Sequence, residues 1–236
     1  LDASSSKASQ NGKLPVVLFA HGHWDHGRFY EAPANEVKQL LATGAERFEN
    51  AAINHMQAQC VQLARMGCIV FQYDMIGYAD SQQISFNRGH RFGIAGASGD
   101  LRNEGAALYG AFAEGYGQSI MGLQTLNTQR SIDFVQSLDD ADPNRIVITG
   151  ASGGGTQSFI AAAIDARLIG AFPVVMVSTG MQGGCTCENA CGLRVDTGNV
   201  ELTALIAPRP VALTAANDWT KNVEKDGFPE LKKLYG

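Results

Sequence analysis

The sequence predicts an α/β protein with a mostly parallel central sheet and helices on both of its faces. Short apolar runs bounded by glycine and turn residues alternate along the chain with longer segments of helical periodicity. The apolar runs are nearly continuous, which is typical of strands buried on both faces. Such strands, when helices separate them in the sequence, pair in parallel and are covered by those helices.

Each element is assigned from local signals. Gly67 separates a first amphipathic helix from a second strand, and the turn DDADPN separates a helix of clear apolar periodicity from a third strand. The expected strands are 15–20, 68–74, 145–150, 171–177 and 209–215, and the expected helices are 51–66, 119–138, 153–166 and one that begins at residue 228.

The length of 236 residues fits a single undivided α/β domain covering residues 1–236. Residues 77–117 are rich in glycine, weakly periodic and too long for an ordinary connection. We therefore expect them to form an insertion within the domain that acts as a lid or helps to form a pocket.

The composition excludes several classes of partner. Hydrophobic residues make up 45% and charged residues 17%, a balance typical of a globular enzyme, and the net charge of −5 does not favour binding to a phosphate backbone. Apolar stretches stay shorter than the roughly 18 residues of a membrane span. We expect neither nucleic acid nor a membrane as partner, and the sequence does not indicate an oligomeric state.

The five cysteines are unevenly distributed. Cys60 and Cys68 are isolated, whereas Cys185, Cys187 and Cys191 are crowded into GGCTCENACG. A disulfide within this loop, or from it to Cys60 or Cys68, is the expectation for an exported protein, and spacing does not choose the pairing. Zinc ligation is less favoured because a paired C-x-x-C knuckle is lacking. We expect a secreted or periplasmic protein, although the sequence does not separate this from a cytoplasmic location.

The segment GASGG, which starts at Gly150, forms a G-x-S-x-G motif between the third strand and the following helix. This context is typical of a nucleophile elbow, in which a serine occupies a tight, strained turn and small neighbours let strand and helix approach. Ser152 is the candidate nucleophile, and the backbone N–H of Gly153 is the candidate donor to an oxyanion. The lack of a G-K-[ST] ending argues against a phosphate loop.

The chain resembles the α/β-hydrolase superfamily, and more narrowly its bacterial acetylxylan-esterase-like members. The resemblance rests on RIVITGASGGGTQSF, SIDFVQSLDDADPN, QYDMIGYADS, APRPVALTAANDWT and MQGGCTCENA. It implies the α/β-hydrolase fold, a Ser–acid–His triad in that chain order, ester hydrolysis and no metal or other cofactor.

The resemblance places the acid of the triad on Asp218, just after the strand 209–215, with Glu188 in reserve. Asp218 could also cap the segment that follows it. All five histidines precede Ser152, so a base after Asp218 is missing from these residues. We expect the chain to stop before the last strand of the fold and the triad histidine; an upstream histidine in that role and a non-catalytic relative are the alternatives.

The loop AHGHWDHG, residues 20–27, has two interpretations. His21, His23, Asp25 and His26 are spaced like the ligands of a dinuclear zinc hydrolase of the metallo-β-lactamase type, with His90 as a further ligand. In an α/β-hydrolase the same loop shapes the oxyanion hole, and the backbone N–H of His23 pairs with that of Gly153. Trp24 and His26 would then line the pocket mouth.

We favour the second interpretation, because zinc in the loop leaves the serine elbow unexplained. The sequence then predicts a serine ester hydrolase that forms an acyl-enzyme on acetyl or other small esters of carbohydrates. The alternatives are the zinc hydrolase and a hydrolase-fold binding protein without turnover.

Overall fold

The sheet has four parallel strands in the part of the chain that the computed structural model describes, which is residues 12–90, 113, 115–180 and 183–235. Their spatial order is β2-β1-β3-β4, and every neighbouring pair is parallel. The strands are β1 (Leu14–Ala20), β2 (Ile69–Tyr73), β3 (Ala141–Ala151) and β4 (Leu168–Val174). The predicted strands 15–20, 68–74 and 145–150 are confirmed within a few residues at their ends.

Helices cover both faces of this sheet, which confirms the predicted fold class. They are α1 (Ala34–Ala42), α2 (Glu49–Ile53), α3 (His55–Arg65), α4 (Phe86–Gly89), α5 (Ile120–Gln136), α6 (Gly153–Ile164), α7 (Asn199–Ala204) and α8 (Phe228–Tyr235). Short 3-10 turns occur at Gly27–Phe29 and Thr186–Glu188. Among the described residues, no helix combines the length and apolar character needed to cross a bilayer.

The core lies around the two central strands. Val16 and Leu18 of β1 and Ile146 and Ile148 of β3 are fully buried, as expected for strands covered on both faces. Helix α6 is buried from Gly153 to Ala162. Because all strands run in parallel, the loops that follow them meet at one edge of the sheet, which is where open α/β sheets place their ligand sites.

Three sequence predictions need correction. The helix predicted at 51–66 is interrupted at Asn54, whose ψ of 53° is not helical, and α1 was not predicted. The strand predicted at 171–177 ends at Val174, because Val175 and Met176 take left-handed φ values of 60° and 68°. The strand predicted at 209–215 is reduced to two bridges with β4, Ala171 to Val211 and Val174 to Thr214.

Most of the predicted insertion at 77–117 lies outside the described residues. Its described beginning includes α4, and Gly77 approaches that helix so closely that a Cβ on Gly77 would lie 2.6 Å from the Cα of Phe86. A role as a lid, and the single-domain organisation, stay predictions.

Asp165 and Arg167 stabilise the end of α6. Arg167 donates from Nη2 to Asp165 at 2.6 Å and from Nη1 to Asp133 of α5 at 2.6 Å. Hydrogen bonding to Arg167 lowers the pKa of the Asp165 carboxyl below its ordinary value. The stabilisation is therefore complete above the ordinary pKa of about 4 and is lost as the pH falls through the lowered value.

We expect Asp165→Asn to lower the free energy of unfolding by about 1.5 to 3 kcal/mol near neutral pH, the range for hydrogen bonds to charged groups. Urea unfolding measures this, with Asp139→Asn at an exposed position as control. The difference from wild type should shrink in acid. An equal effect of both variants, or a difference that does not change with pH, would contradict the assignment.

Candidate functional site

Ser152 lies at the turn between β3 and α6 with a φ of 57° and a ψ of −125°. A left-handed φ is costly for a residue other than glycine, and strain of this kind concentrates at functional sites. The N–H of Ser152 donates to the carbonyl of Val174 at 3.2 Å, which ties the turn to the neighbouring strand. Ser152 is partly exposed.

Two glycines permit this turn by allowing backbone contact with β1. A Cβ on Gly150 would lie 2.2 Å from the carbonyl oxygen of Ala20, and one on Gly154 would lie 2.0 Å from the same atom. Both contacts are with backbone, which a rotamer change cannot relieve. The small residues of the G-x-S-x-G motif are thus required by the packing of the strand and helix.

The loop after β1 lies against the elbow. A Cβ on Gly22 would lie 2.8 Å from the Cβ of Ser152, and one on Gly153 would lie 2.8 Å from Cε1 of the His23 ring. The predicted oxyanion residues His23 and Gly153 are therefore neighbours beside the candidate nucleophile. As the first amide of α6, the N–H of Gly153 lacks an acceptor within the helix.

The two candidate acids have different surroundings. Glu188 is 3% exposed; its Oε2 accepts from the N–H groups of Gly184 at 2.8 Å and Cys185 at 3.0 Å, and its Oε1 lies 3.3 Å from the Cβ position of Gly153. Burial raises the pKa of the Glu188 carboxyl.

Asp218, by contrast, is engaged in its own turn. Its Oδ1 accepts from the N–H of Thr220 at 2.7 Å and from the Thr220 hydroxyl at 2.5 Å. These are the contacts of a capping residue. Within the described residues the structure gives Asp218 no hydrogen bond to Ser152, Gly153 or His23, so it brings Glu188 and not Asp218 to the elbow.

The five histidines all lie in the described residues, and none is hydrogen-bonded to Ser152 there. His21 is buried; its Nδ1 donates to the carbonyl of Gly22 at 2.8 Å and its Nε2 accepts from the N–H of Met75 at 3.1 Å. Burial lowers the pKa of His21 to about 4. His21 is therefore a neutral structural residue.

Among the described residues, the remaining side chains of this loop do not form a cluster of metal ligands. Asp25 and His26 are exposed, and His26 has a left-handed φ of 62°. The Trp24 ring lies beside Gly22, because a Cβ added to Gly22 would lie 2.5 Å from Cζ3 of Trp24. This position is compatible with the predicted place of Trp24 at the pocket mouth. The structure does not assemble the dinuclear set of His21, His23, Asp25 and His26.

A different cluster was missed by the sequence reasoning. Ring nitrogens of His23 and His90 and the sulfurs of Cys185 and Cys187 lie within 4.8 Å of one another. The expectation that the protein binds no metal stays a prediction. The sequence contained two hints of this cluster, the histidines early in the chain and the crowded cysteines, but nothing that linked them. All five cysteines are free thiols, so the expected disulfide is not formed.

Hydrogen bonding from Cys187 lowers the pKa of the Cys185 thiol, whereas burial raises the pKa of the Cys187 thiol.

A family model described as acetyl xylan esterase matches residues 119–178, which include α5, β3, the elbow and the start of the loop after β4. No curated protein sequence matches the chain. The match therefore covers the Ser152 motif and leaves the histidine loop and the cysteine loop outside it.

Solved structures of carbohydrate esterases have the same fold. A structure named methylesterase BT1017 is 27% identical with a TM-score of 0.62, and the match covers 98% of this chain and 42% of the BT1017 chain. A glucuronoyl esterase from Solibacter usitatus is 13% identical with a TM-score of 0.54, covering 97% of this chain and 62% of its own. A CE15 esterase from a marine bacterial metagenome is 17% identical with a TM-score of 0.57, covering 94% and 62%.

These similarities confirm the predicted superfamily. The chain has the α/β-hydrolase fold and is similar to carbohydrate esterases. It spans less than two thirds of the length of these structures.

Proposed function

We propose that this chain provides the nucleophile and the oxyanion hole of a serine ester hydrolase that acts on acetyl or other small esters of carbohydrates. The observation that carries the proposal is the left-handed φ of 57° at Ser152, at the carboxyl edge of a parallel sheet. A serine is held in this way when its hydroxyl must project from a tight turn. The similarity to carbohydrate esterases supports the substrate class.

In the proposed reaction, Oγ of Ser152 attacks the ester carbonyl while a base removes its proton. The N–H groups of Gly153 and His23 stabilise the negative charge that develops on the carbonyl oxygen. Collapse of the tetrahedral intermediate breaks the bond to the alcohol, which leaves with a proton, and forms an acyl-enzyme. Water then attacks the acyl group, the carboxylic acid is released, and the serine hydroxyl is regenerated.

We assign the acid of the triad to Glu188 in preference to Asp218. Its Oε1 approaches Gly153, and the two backbone N–H groups on Oε2 stabilise the charged form of a carboxylate whose burial opposes ionisation. Asp218 is engaged by Thr220 in its own turn. A buried anion behind an imidazole is what the triad requires.

We also propose that neither His21 nor His23 is the general base. His21 hydrogen bonds to backbone at both ring nitrogens, and Nε2 of His23 faces His90 and Cys187 rather than Ser152. A folded His21→Gln protein without ester hydrolysis would contradict this assignment.

The two acids are separated by activity measurements. We expect Glu188→Gln to lower kcat by about 100-fold to 10,000-fold, by analogy with loss of a triad carboxylate, and Asp218→Asn to change it less than about threefold. Because Glu188 also holds two backbone N–H groups, the melting temperature of each variant must be compared with that of wild type. A large loss in Asp218→Asn with Glu188→Gln active would restore Asp218 as the acid.

The substrate class is tested by incubating the protein with acetylated xylo-oligosaccharides and with methyl-esterified uronic acid oligosaccharides. The proposal predicts Ser152-dependent release of acetate or methanol from at least one of them. Turnover confined to esters without a carbohydrate would contradict the substrate class and leave the serine mechanism standing.

A further inference from the structure

Four potential metal ligands converge from three separate parts of the chain. His23 belongs to the loop after β1, His90 follows α4, and Cys185 and Cys187 belong to the loop that contains the 3-10 turn Thr186–Glu188. Nε2 of His23 lies 3.1 Å from Nδ1 of His90 and 3.1 Å from the sulfur of Cys187, and the sulfur of Cys185 lies 3.7 Å from Nδ1 of His90. Cys185, Cys187 and His90 are buried.

The other nitrogen of each imidazole faces an acceptor. Nε2 of His90 donates to the backbone carbonyl of Ile76, and Nδ1 of His23 lies 3.8 Å from Oε1 of Glu188. A proton on these outer nitrogens leaves a lone pair on each inner nitrogen, and the two lone pairs face each other. Metal-ligating histidines are oriented by such carboxylate and carbonyl partners.

We propose that His23, His90, Cys185 and Cys187 form a structural site for zinc, a function separate from the proposed esterase activity. Ligand atoms on a tetrahedral ion with zinc–nitrogen and zinc–sulfur distances of about 2.0 and 2.3 Å lie about 3.3 to 3.8 Å apart. Three distances in the cluster, 3.1, 3.1 and 3.7 Å, are close to this range, and all four ligand atoms lie within 4.8 Å of one another. Two imidazoles and two thiolates are a ligand set that zinc prefers.

Four protein ligands close the coordination sphere, which is typical of structural and not catalytic zinc. The ion would join the loop after β1 to the segment after α4 and to the cysteine loop. These loops supply His23, whose N–H is the proposed oxyanion donor, and Glu188. The site would therefore stabilise the arrangement of the elbow without contacting the substrate.

The first test is metal content. Protein purified without chelator should contain about one zinc ion per chain by mass spectrometry of the metal. After removal of zinc and addition of Co²⁺, it should show the thiolate charge-transfer and d–d absorption of a tetrahedral site. Metal-free protein that binds neither ion, or a Co²⁺ spectrum without thiolate bands, would overturn the proposal. Neither readout depends on ester hydrolysis.

Cysteine variants locate the site. Cys185→Ser and Cys187→Ser should each lower zinc affinity at least about 10-fold and abolish the stabilisation by zinc seen in thermal unfolding, whereas Cys191→Ser, at an exposed position of the same loop, should keep both. Loss of zinc in Cys191→Ser alone would overturn the assignment. So would a disulfide between Cys185 and Cys187 in the native protein, detected as a mass about 2 Da below that of the reduced form because two hydrogen atoms are lost. If a variant does not fold, the Co²⁺ spectrum of wild type still decides.

Discussion

Ser152→Ala should lower kcat/KM for p-nitrophenyl acetate by about 10,000-fold or more, because removal of a serine nucleophile from a triad costs at least that much. Alanine removes the hydroxyl that attacks the ester and leaves the oxyanion donors in place. The residual rate reports what those donors achieve alone. Steady-state kinetics with purified protein measures the effect.

The matched control is Ser137→Ala. Ser137 is an exposed serine at the end of α5 whose hydroxyl donates to the carbonyl of Phe134. This variant should keep wild-type activity. Substantial activity in Ser152→Ala, with normal melting behaviour, would mean that another group performs the hydrolysis.

Gly154→Ala should have the largest effect on folding. The added Cβ would lie 2.0 Å from the carbonyl oxygen of Ala20 and 2.7 Å from its carbonyl carbon, so helix α6 and strand β1 would have to separate. We expect a loss of about 3 to 5 kcal/mol in the free energy of unfolding, the range of severe single substitutions, or failure to obtain folded protein. Urea unfolding and the yield of soluble protein measure it.

Gly115→Ala is the control for this substitution, because a Cβ on Gly115 would meet nothing within 4 Å and its φ is not left-handed. It should be close to neutral in the same unfolding experiment. A Gly154→Ala protein with wild-type stability would show that strand and helix are less tightly packed at the elbow than the structure indicates.

The elbow could be predicted from sequence because its determinants are local. The strand, the turn and the helix are consecutive, and the small residues Gly150 and Gly154 stand at the positions where backbone approaches backbone. The central strands β1 and β3 were also predictable, since both are buried on two faces and appear as continuous apolar runs.

The contacts between distant segments were not predictable in the same way. Spacing suggested that the histidines of residues 20–27 would act together, but His21 is engaged by backbone and His26 is exposed. His23 instead meets Cys187, which is 164 residues away in the sequence. Periodicity and motif spacing carry no information about a pair of this kind.

The resemblance places the acid on Asp218, and the structure gives a reason to propose Glu188 instead. Asp218 follows the segment 209–215, and Thr220 engages its carboxylate. Glu188 follows the preceding strand and is folded back by the N–H groups of Gly184 and Cys185 until it reaches the elbow. Which carboxylate approaches the serine depends on the path of the loops.

The most direct test of the central claim is to treat the protein with a fluorophosphonate and locate the modified residue by peptide mass spectrometry. Our account predicts one covalent adduct, on Ser152, and loss of hydrolysis in proportion to labelling. Folded, hydrolytically active protein that carries no adduct on Ser152 would contradict it.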